Sequence, residues 1–163
     1  MNRRGFLAAG IAVLTTEYLV RGAGPLLATS QGKFAVSHSE EEWRKLLTPE
    51  QFSILREEAT ERPGSSALLN EHRKGTFSCA GCDQALFASE TKFESGTGWP
   101  SFWAPIDNAV ATTQDTSLGM VRVEAHCSRC GGHLGHVFDD GPRPTGLRYC
   151  INGFAMTFAP AAA

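Results

Sequence analysis

The chain has 163 residues, 42% of them hydrophobic and 20% charged, with a formal net charge of -2. That is enough for one domain with a real core and too short for two ordinary ones. Basic residues are dispersed beyond the first few positions, so a nucleic-acid-binding role, which needs a basic face, is not the leading class.

The opening "MNRRGFLAAGIAVLTT" sets Arg3 and Arg4 before a weakly hydrophobic run that Glu17 interrupts, well short of the ~20 apolar residues of a membrane span. Together with Gly5-Phe6-Leu7 it resembles a twin-arginine export signal, which carries folded proteins across the bacterial inner membrane. Cleavage is expected near Leu26-Leu27-Ala28, with an uncleaved N-terminal anchor as the alternative, and the expected location is the periplasm. Residues 1–28 are therefore read as a signal segment, 29–38 as a linker, 39–160 as the folded domain and 161–163 as a tail.

At Ser39 the pattern "SEEE" forms a capping box, in which Ser39 accepts from the Glu42 amide and Glu42 reaches back. A short helix should cover Trp43, Leu46 and Leu47. Thr48, Pro49 and Gln51 repeat the device, and a second helix is expected to about Ala59 with Phe52, Leu55 and Ala59 on one apolar stripe. After "ERPGSS" the chain turns to short runs between Gly and Pro, "GTFSC", "QALF", "MVRVEA", "GHVF" and "LRYCI", which read as strands. In "MVRVEA" the residues Val121, Val123 and Ala125 alternate with Arg122 and Glu124, as in a half-buried strand. The expected class is mainly β, with short N-terminal helices ahead of an antiparallel β domain.

Of five cysteines, four form two pairs at C-x-x-C spacing, Cys79 with Cys82 and Cys127 with Cys130. Two such knuckles suit one tetrahedral zinc, each pair spanning an edge, with Gly81, Gly131 and Gly132 supporting the turns. Disulfides are the alternative for an exported chain, and a redox-active C-x-x-C is a second. The twin-arginine route favours zinc, because folding would take place in the reducing cytoplasm. A closed four-thiolate site leaves no open position for chemistry, so this zinc would be structural.

The fifth cysteine, Cys150, lies in "LRYCIN", where alternation turns Leu147, Tyr149 and Ile151 one way and Arg148, Cys150 and Asn152 the other. Arg148 can favour a thiolate, and Asn152 can hydrogen-bond beside it. A buried, inert cysteine is the alternative. His133 and His136 in "GGHLGHVF" read as acid/base groups or as structural histidines, since four sulfurs already saturate one zinc. In "SGTGWPSFW" the aromatics Trp99, Phe102 and Trp103 either plug the core or wall a small apolar pocket.

In this order, "CAGC", "SGTGWPSF", "CSRCGGHLGHVF" and "RYCIN" resemble the methionine-R-sulfoxide reductases of the B type over residues 40–158. The resemblance implies a domain of two antiparallel sheets, a structural four-cysteine zinc and reduction of the R epimer of methionine sulfoxide in oxidised proteins or peptides. By it, Cys150 is the nucleophile that becomes a sulfenic acid. His136 is the proton donor and His133 its helper. Arg148 favours the thiolate, and Asn152 helps fix the sulfoxide. Trp99 walls the pocket with its indole N–H open to the substrate's polar end, and Phe102 and Thr97 complete the substrate side.

Many members of the family carry a resolving cysteine where this chain has Thr97. An external thioredoxin-like or small-thiol reductant is therefore the expected partner, and a monomer the default state. Gly153 stands where serine is frequent, with no consequence assigned to it. Two competing functions are a zinc-knuckle binding module, which leaves Cys150, both histidines and Trp99 unexplained, and a thiol sensor or peroxidase without a sulfoxide substrate.

Overall fold

A computed structural model describes residues 34–162, so the export signal expected at residues 1–28 lies outside the described residues. Both helices begin at their expected caps. Helix α1 (Glu40–Leu46) has the reciprocal Ser39 and Glu42 bonds at 3.3 and 2.8 Å, and α2 (Pro49–Glu57) has those of Thr48 and Gln51 at 3.2 and 3.0 Å. Trp43, Leu47, Phe52, Ile54 and Leu55 are buried. Leu46 is not covered as expected: α1 meets the domain along the line from 43 to 47, and Leu46 is 61% exposed at the helix end. Helix α2 stops at Glu58, which turns left-handed (φ 57), so Ala59 follows the helix.

The strands are β1 (Gly75–Cys79), β2 (Ala85–Ala88), β3 (Lys92–Phe93), β4 (Ser101–Phe102), β5 (Val110–Asp115), β6 (Arg122–Cys127), β7 (His133–Phe138), β8 (Arg148–Ile151) and β9 (Met156–Pro160). They form two antiparallel sheets, of order β2-β1-β9 and β3-β4-β8-β7-β6-β5. This is the mainly β architecture that the sequence led us to expect. An aromatic core joins the sheets, with Phe87 stacked on Phe102 at 4.2 Å and Phe77 edge-on to it at 5.0 Å.

Phe102, expected beside the substrate, is therefore a fully buried core residue. The reason is the period of two. Ser101 pairs with Cys150 and Phe102 with Tyr149, so Phe102 faces away from the thiol and Ser101 shares its face. The alternation read in "MVRVEA" holds for Ala125, which is buried, whereas Val123 and Val121 are exposed where the ribbon of β5 and β6 runs out to its turn. The described part of the segment read as a linker lies on the domain. Val36 donates its amide to the Arg129 carbonyl at 3.0 Å, and the rings of Phe34 and His126 meet edge to face.

Candidate active site and metal centre

The four paired cysteines converge. Cys79 ends β1, Cys127 ends β6, and Cys82 and Cys130 sit in the turns that follow, with all four sulfurs within 4.8 Å of one another. The Cys79–Cys130 and Cys82–Cys127 separations are 3.7 and 3.5 Å. Those distances are far beyond a disulfide bond, which is about 2.05 Å long. They approach the edge of about 3.8 Å that tetrahedral thiolates at 2.3 Å from a metal would have. The cluster can hold a metal ion. In the second knuckle Gly131 takes the left-handed turn (φ 68), and the Phe34 ring lies where a side chain at 131 would go. In the first, the left-handed residue is Asp83 (φ 57), not Gly81.

Cys150 lies in the middle of the larger sheet. Its register partners are Ser101 on one side and His136 on the other, with Glu124 beyond His136, so these four side chains form one row on the face away from the aromatic core. His133 and His136 are three residues apart and would point to opposite faces of a regular strand. They share a face because the register slips by one residue. Ala125 pairs with Gly135 but His126 pairs with His133, leaving Leu134 as the extra residue of a bulge. Gly135 is required there, because a Cβ would sit on the Cys150 carbonyl oxygen.

A pocket of about 180 Å³ opens over this row, lined by Cys150, His136, Trp99, Phe138, Arg122 and Asn152, with Thr60 at its edge. His136 Nε2 lies 2.9 Å from Asp115 Oδ2. The Ser117 hydroxyl, His136 and the Ser117 amide hold the Asp115 carboxyl far below the usual carboxylate range, so it is an acceptor and His136 Nε2 carries the proton. In the neutral ring Nδ1 is then the free nitrogen. Burial pushes the His136 pKa down, and the Asp115 bond opposes this. His133 sits behind, 5.5 Å from His136 between ring centroids, with Nδ1 at 2.8 Å from Glu124 Oε1 and Nε2 buried without a hydrogen-bond partner.

Burial pushes the Cys150 thiol above its ordinary 9.0, while the Thr97 hydroxyl, 3.9 Å from the sulfur, and the charge of Arg148 pull it back. The Arg148 guanidinium is held by two bonds to Asp140, at 2.8 and 2.9 Å, and lies over the Phe138 ring. Its charge therefore reaches the thiol already partly neutralised. Thr97 also meets Ser95, which bonds Ser101 at 2.7 Å, so a short hydroxyl chain backs the sulfur.

Two expected roles change. The Asn152 amide is tied at both ends, accepting from the Glu61 amide at 3.0 Å and donating to the Leu134 carbonyl at 3.0 Å. Asn152 therefore positions the pocket wall. The Trp99 indole N–H is not open to a ligand, since it donates to the Glu61 carbonyl at 3.2 Å, which leaves the ring as an apolar wall. Both tethers lead to Glu61, a residue that the sequence reading passed over. Its buried carboxylate accepts from the Gly153 and Phe154 amides at 2.8 and 2.9 Å, and burial raises its pKa against those bonds. Gly153 matters for the same reason: a Cβ there would overlap the Ser66 side chain, so serine would not fit.

Asp115 and Glu124, the carboxylates behind the two histidines, were also missed, and only the strand register brings them into place. Asp140 and Phe138 likewise gain meaning only from Arg148, which β8 sets beside them.

Fold and site together define a β domain that sets a lone cysteine beside a histidine in a pocket and gathers four further cysteines into a cluster able to hold a metal ion. The chain belongs to the SelR domain family, which matches residues 47–160. It is 58% identical over 125 residues to the peptide methionine sulfoxide reductase MsrB of Methanosarcina barkeri, covering 76% of this chain and 88% of that protein. With the proteins of the same name from Agrobacterium fabrum and Leptospira interrogans it shares 56% identity over 126 residues, covering 77% of this chain and 93% and 96% of theirs. The chain is an oxidoreductase.

Proposed function

We propose that this protein reduces the R epimer of methionine sulfoxide in oxidised proteins or peptides to methionine, with Cys150 as nucleophile. The observation that carries the reading is the cross-strand pair of Cys150 and His136 at the base of a pocket walled by Trp99. The Cys150 thiolate attacks the sulfoxide sulfur, the sulfur–oxygen bond of the substrate breaks, and the oxygen ends on Cys150 as a sulfenic acid. The substrate sulfur gains two electrons and the cysteine sulfur loses two. Protonated His136 supplies the proton to the departing oxygen, and Asp115 holds the ring in place. The substrate methyl rests against the Trp99 ring, and the preference for the R epimer is supported by the family resemblance.

Thr97 stands within reach of Cys150 but offers a hydroxyl, and the other four cysteines lie together in the metal centre. The sulfenic acid therefore awaits two external thiols, which become a disulfide as water leaves and Cys150 returns to its thiol. The metal read into the centre is zinc, which Cys79, Cys82, Cys127 and Cys130 would hold; when bound it would offset half the charge of four thiolates and tie the knuckles together. The role is structural, because four protein ligands fill its coordination.

A single turnover without reductant tests this. Prereduced protein mixed with peptides carrying either sulfoxide epimer is expected to yield one methionine per chain from the R peptide and none from the S, with one thiol lost and a trappable sulfenic acid on Cys150. Loss of two thiols would overturn the external-reductant step, and absence of product would overturn the reductase reading.

Export to the periplasm belongs to the same proposal, motivated by Arg3 and Arg4 ahead of Gly5-Phe6-Leu7. Replacing both arginines by lysine is expected to trap the protein in the cytoplasm of a bacterial host, as read by fractionation. Unchanged periplasmic recovery would rule out the twin-arginine route.

A further inference from the structure

A second cavity, about 510 Å³, adjoins the catalytic pocket of about 180 Å³. It is a groove between α2 and the loop that follows it, with Pro49, Ser53 and Ile54 on the helix side, Arg62 and Ser65 across from them, and Phe154 at its base. Thr60 lines both cavities. Its neighbour Glu61 lines the groove while holding the Trp99 indole through its carbonyl and Asn152 through its amide. One short stretch of backbone is thus the wall of both, and a chain leaving the catalytic pocket over Thr60 enters the groove directly.

The catalytic pocket has room for one side chain and little more, whereas the groove falls within the range of volumes that hold ligands. Pro49, Ala59 and Phe154 give it an apolar surface, with Ile54 buried beneath. The Glu61 carboxylate presents no open charge, because it is turned onto the Gly153 and Phe154 amides. At the mouth Glu50 and Arg62 carry opposite signs, which leaves no net charge to select for.

We propose that this groove is the subsite for the substrate polypeptide flanking the oxidised methionine, and that it takes an apolar side chain against Ala59 and Phe154. The proposal rests on the reductase reading above and adds a second specificity determinant to it. An oxidised methionine with an apolar residue close in sequence, as in a protein core or an amphipathic segment, is then a better substrate than an isolated one. Burying a leucine-sized side chain corresponds to a gain of about 10-fold or more in kcat/KM.

The test compares methionine-R-sulfoxide blocked at both ends with peptides that carry leucine or serine within three residues before or after the sulfoxide, using full-length protein and a small-thiol reductant. Leucine on one side is expected to raise kcat/KM about 10-fold or more over serine. Ser53→Trp, which fills the groove from the helix, should abolish that gain while kcat/KM for the blocked amino acid stays within about twofold, a difference of well under 1 kcal/mol. Ser65→Trp, from the exposed opposite wall, provides the same readout should the helix not accept the larger ring. A leucine gain that survives the filled groove overturns the proposal, and so does a wild-type protein that reduces the blocked amino acid without any leucine gain. Failure of the wild-type protein on every R sulfoxide would instead overturn the reductase reading, and the groove's role with it.

Discussion

Cys150→Ser is expected to lower kcat/KM by about 10⁴-fold or more, to the level of the uncatalysed reaction, while the melt and the metal content stay those of the wild type. The size follows from electron balance. Two electrons must come from a sulfur that can accept oxygen, and a serine hydroxyl cannot supply them. The small structural effect follows from the surroundings: the sulfur is only partly buried and its hydrogen-bond neighbour Thr97 is a loose contact at 3.9 Å. Residual turnover of 1% or more in the variant would mean that the oxygen is accepted elsewhere.

The same pair sets the pH dependence. Burial raises the Cys150 thiol and lowers the His136 imidazole, so the resting site at neutral pH holds a thiol and a neutral ring. The reactive arrangement, thiolate with imidazolium, contains the same number of protons and is reached by an internal shift of one proton. Rate should therefore be flat across neutral pH. It falls below the depressed His136 pKa, where the thiol and the ring are both protonated, and above the raised Cys150 pKa, where no proton remains for the oxygen. Alkylation of Cys150 should accelerate only on the alkaline side of 9.0. Rapid alkylation at pH 7 would contradict this ordering.

Local chemistry made much of this legible. The caps at Ser39 and Thr48 are decided within four residues, the knuckle spacing by the bite of one metal, and the two faces of β8 by the period of two. What local sequence does not show depends on contacts distant in sequence. His133 and His136 share a face only because of a bulge at Leu134, and spacing alone would have separated them. Phe102 was assigned to the pocket because it follows Trp99 in an aromatic-rich loop, yet pairing with Tyr149 turns it into the core. The Trp99 indole N–H is taken by the Glu61 carbonyl, from a loop with no periodicity to mark it, and the Asn152 amide is anchored to the Leu134 carbonyl. For Phe102 and Trp99 the side chain is identified correctly by type, and its partner is decided by register and tertiary packing alone.

Removal of the metal is expected to unfold the domain. Structural four-thiolate zinc contributes about 10–16 kcal/mol to folding in small domains, which matches or exceeds the roughly 5–15 kcal/mol by which a whole domain is stable. The cluster joins the end of β1 in one sheet to the end of β6 in the other, and Trp43 and Leu55 of the two helices pack against its turns. With no cation, four thiols within 4.8 Å of one another could not all ionise, and their mutual hydrogen bonds are weak. Protein titrated with a chelator under reducing conditions should release one zinc per chain, lose its cooperative melt and regain it when zinc returns, and Cys127→Ser should behave as the stripped protein does. Persistence of the melt within a few degrees after complete release would mean that the cluster is not structural. Activity should disappear with the fold, since β7 begins three residues beyond Cys130 and carries both histidines. The thiol of Cys150 should at the same time become more reactive toward a small alkylating agent, because unfolding removes the burial that raises its pKa. A catalytic metal would give a different result, with turnover lost while the melt and the alkylation rate stayed as they were.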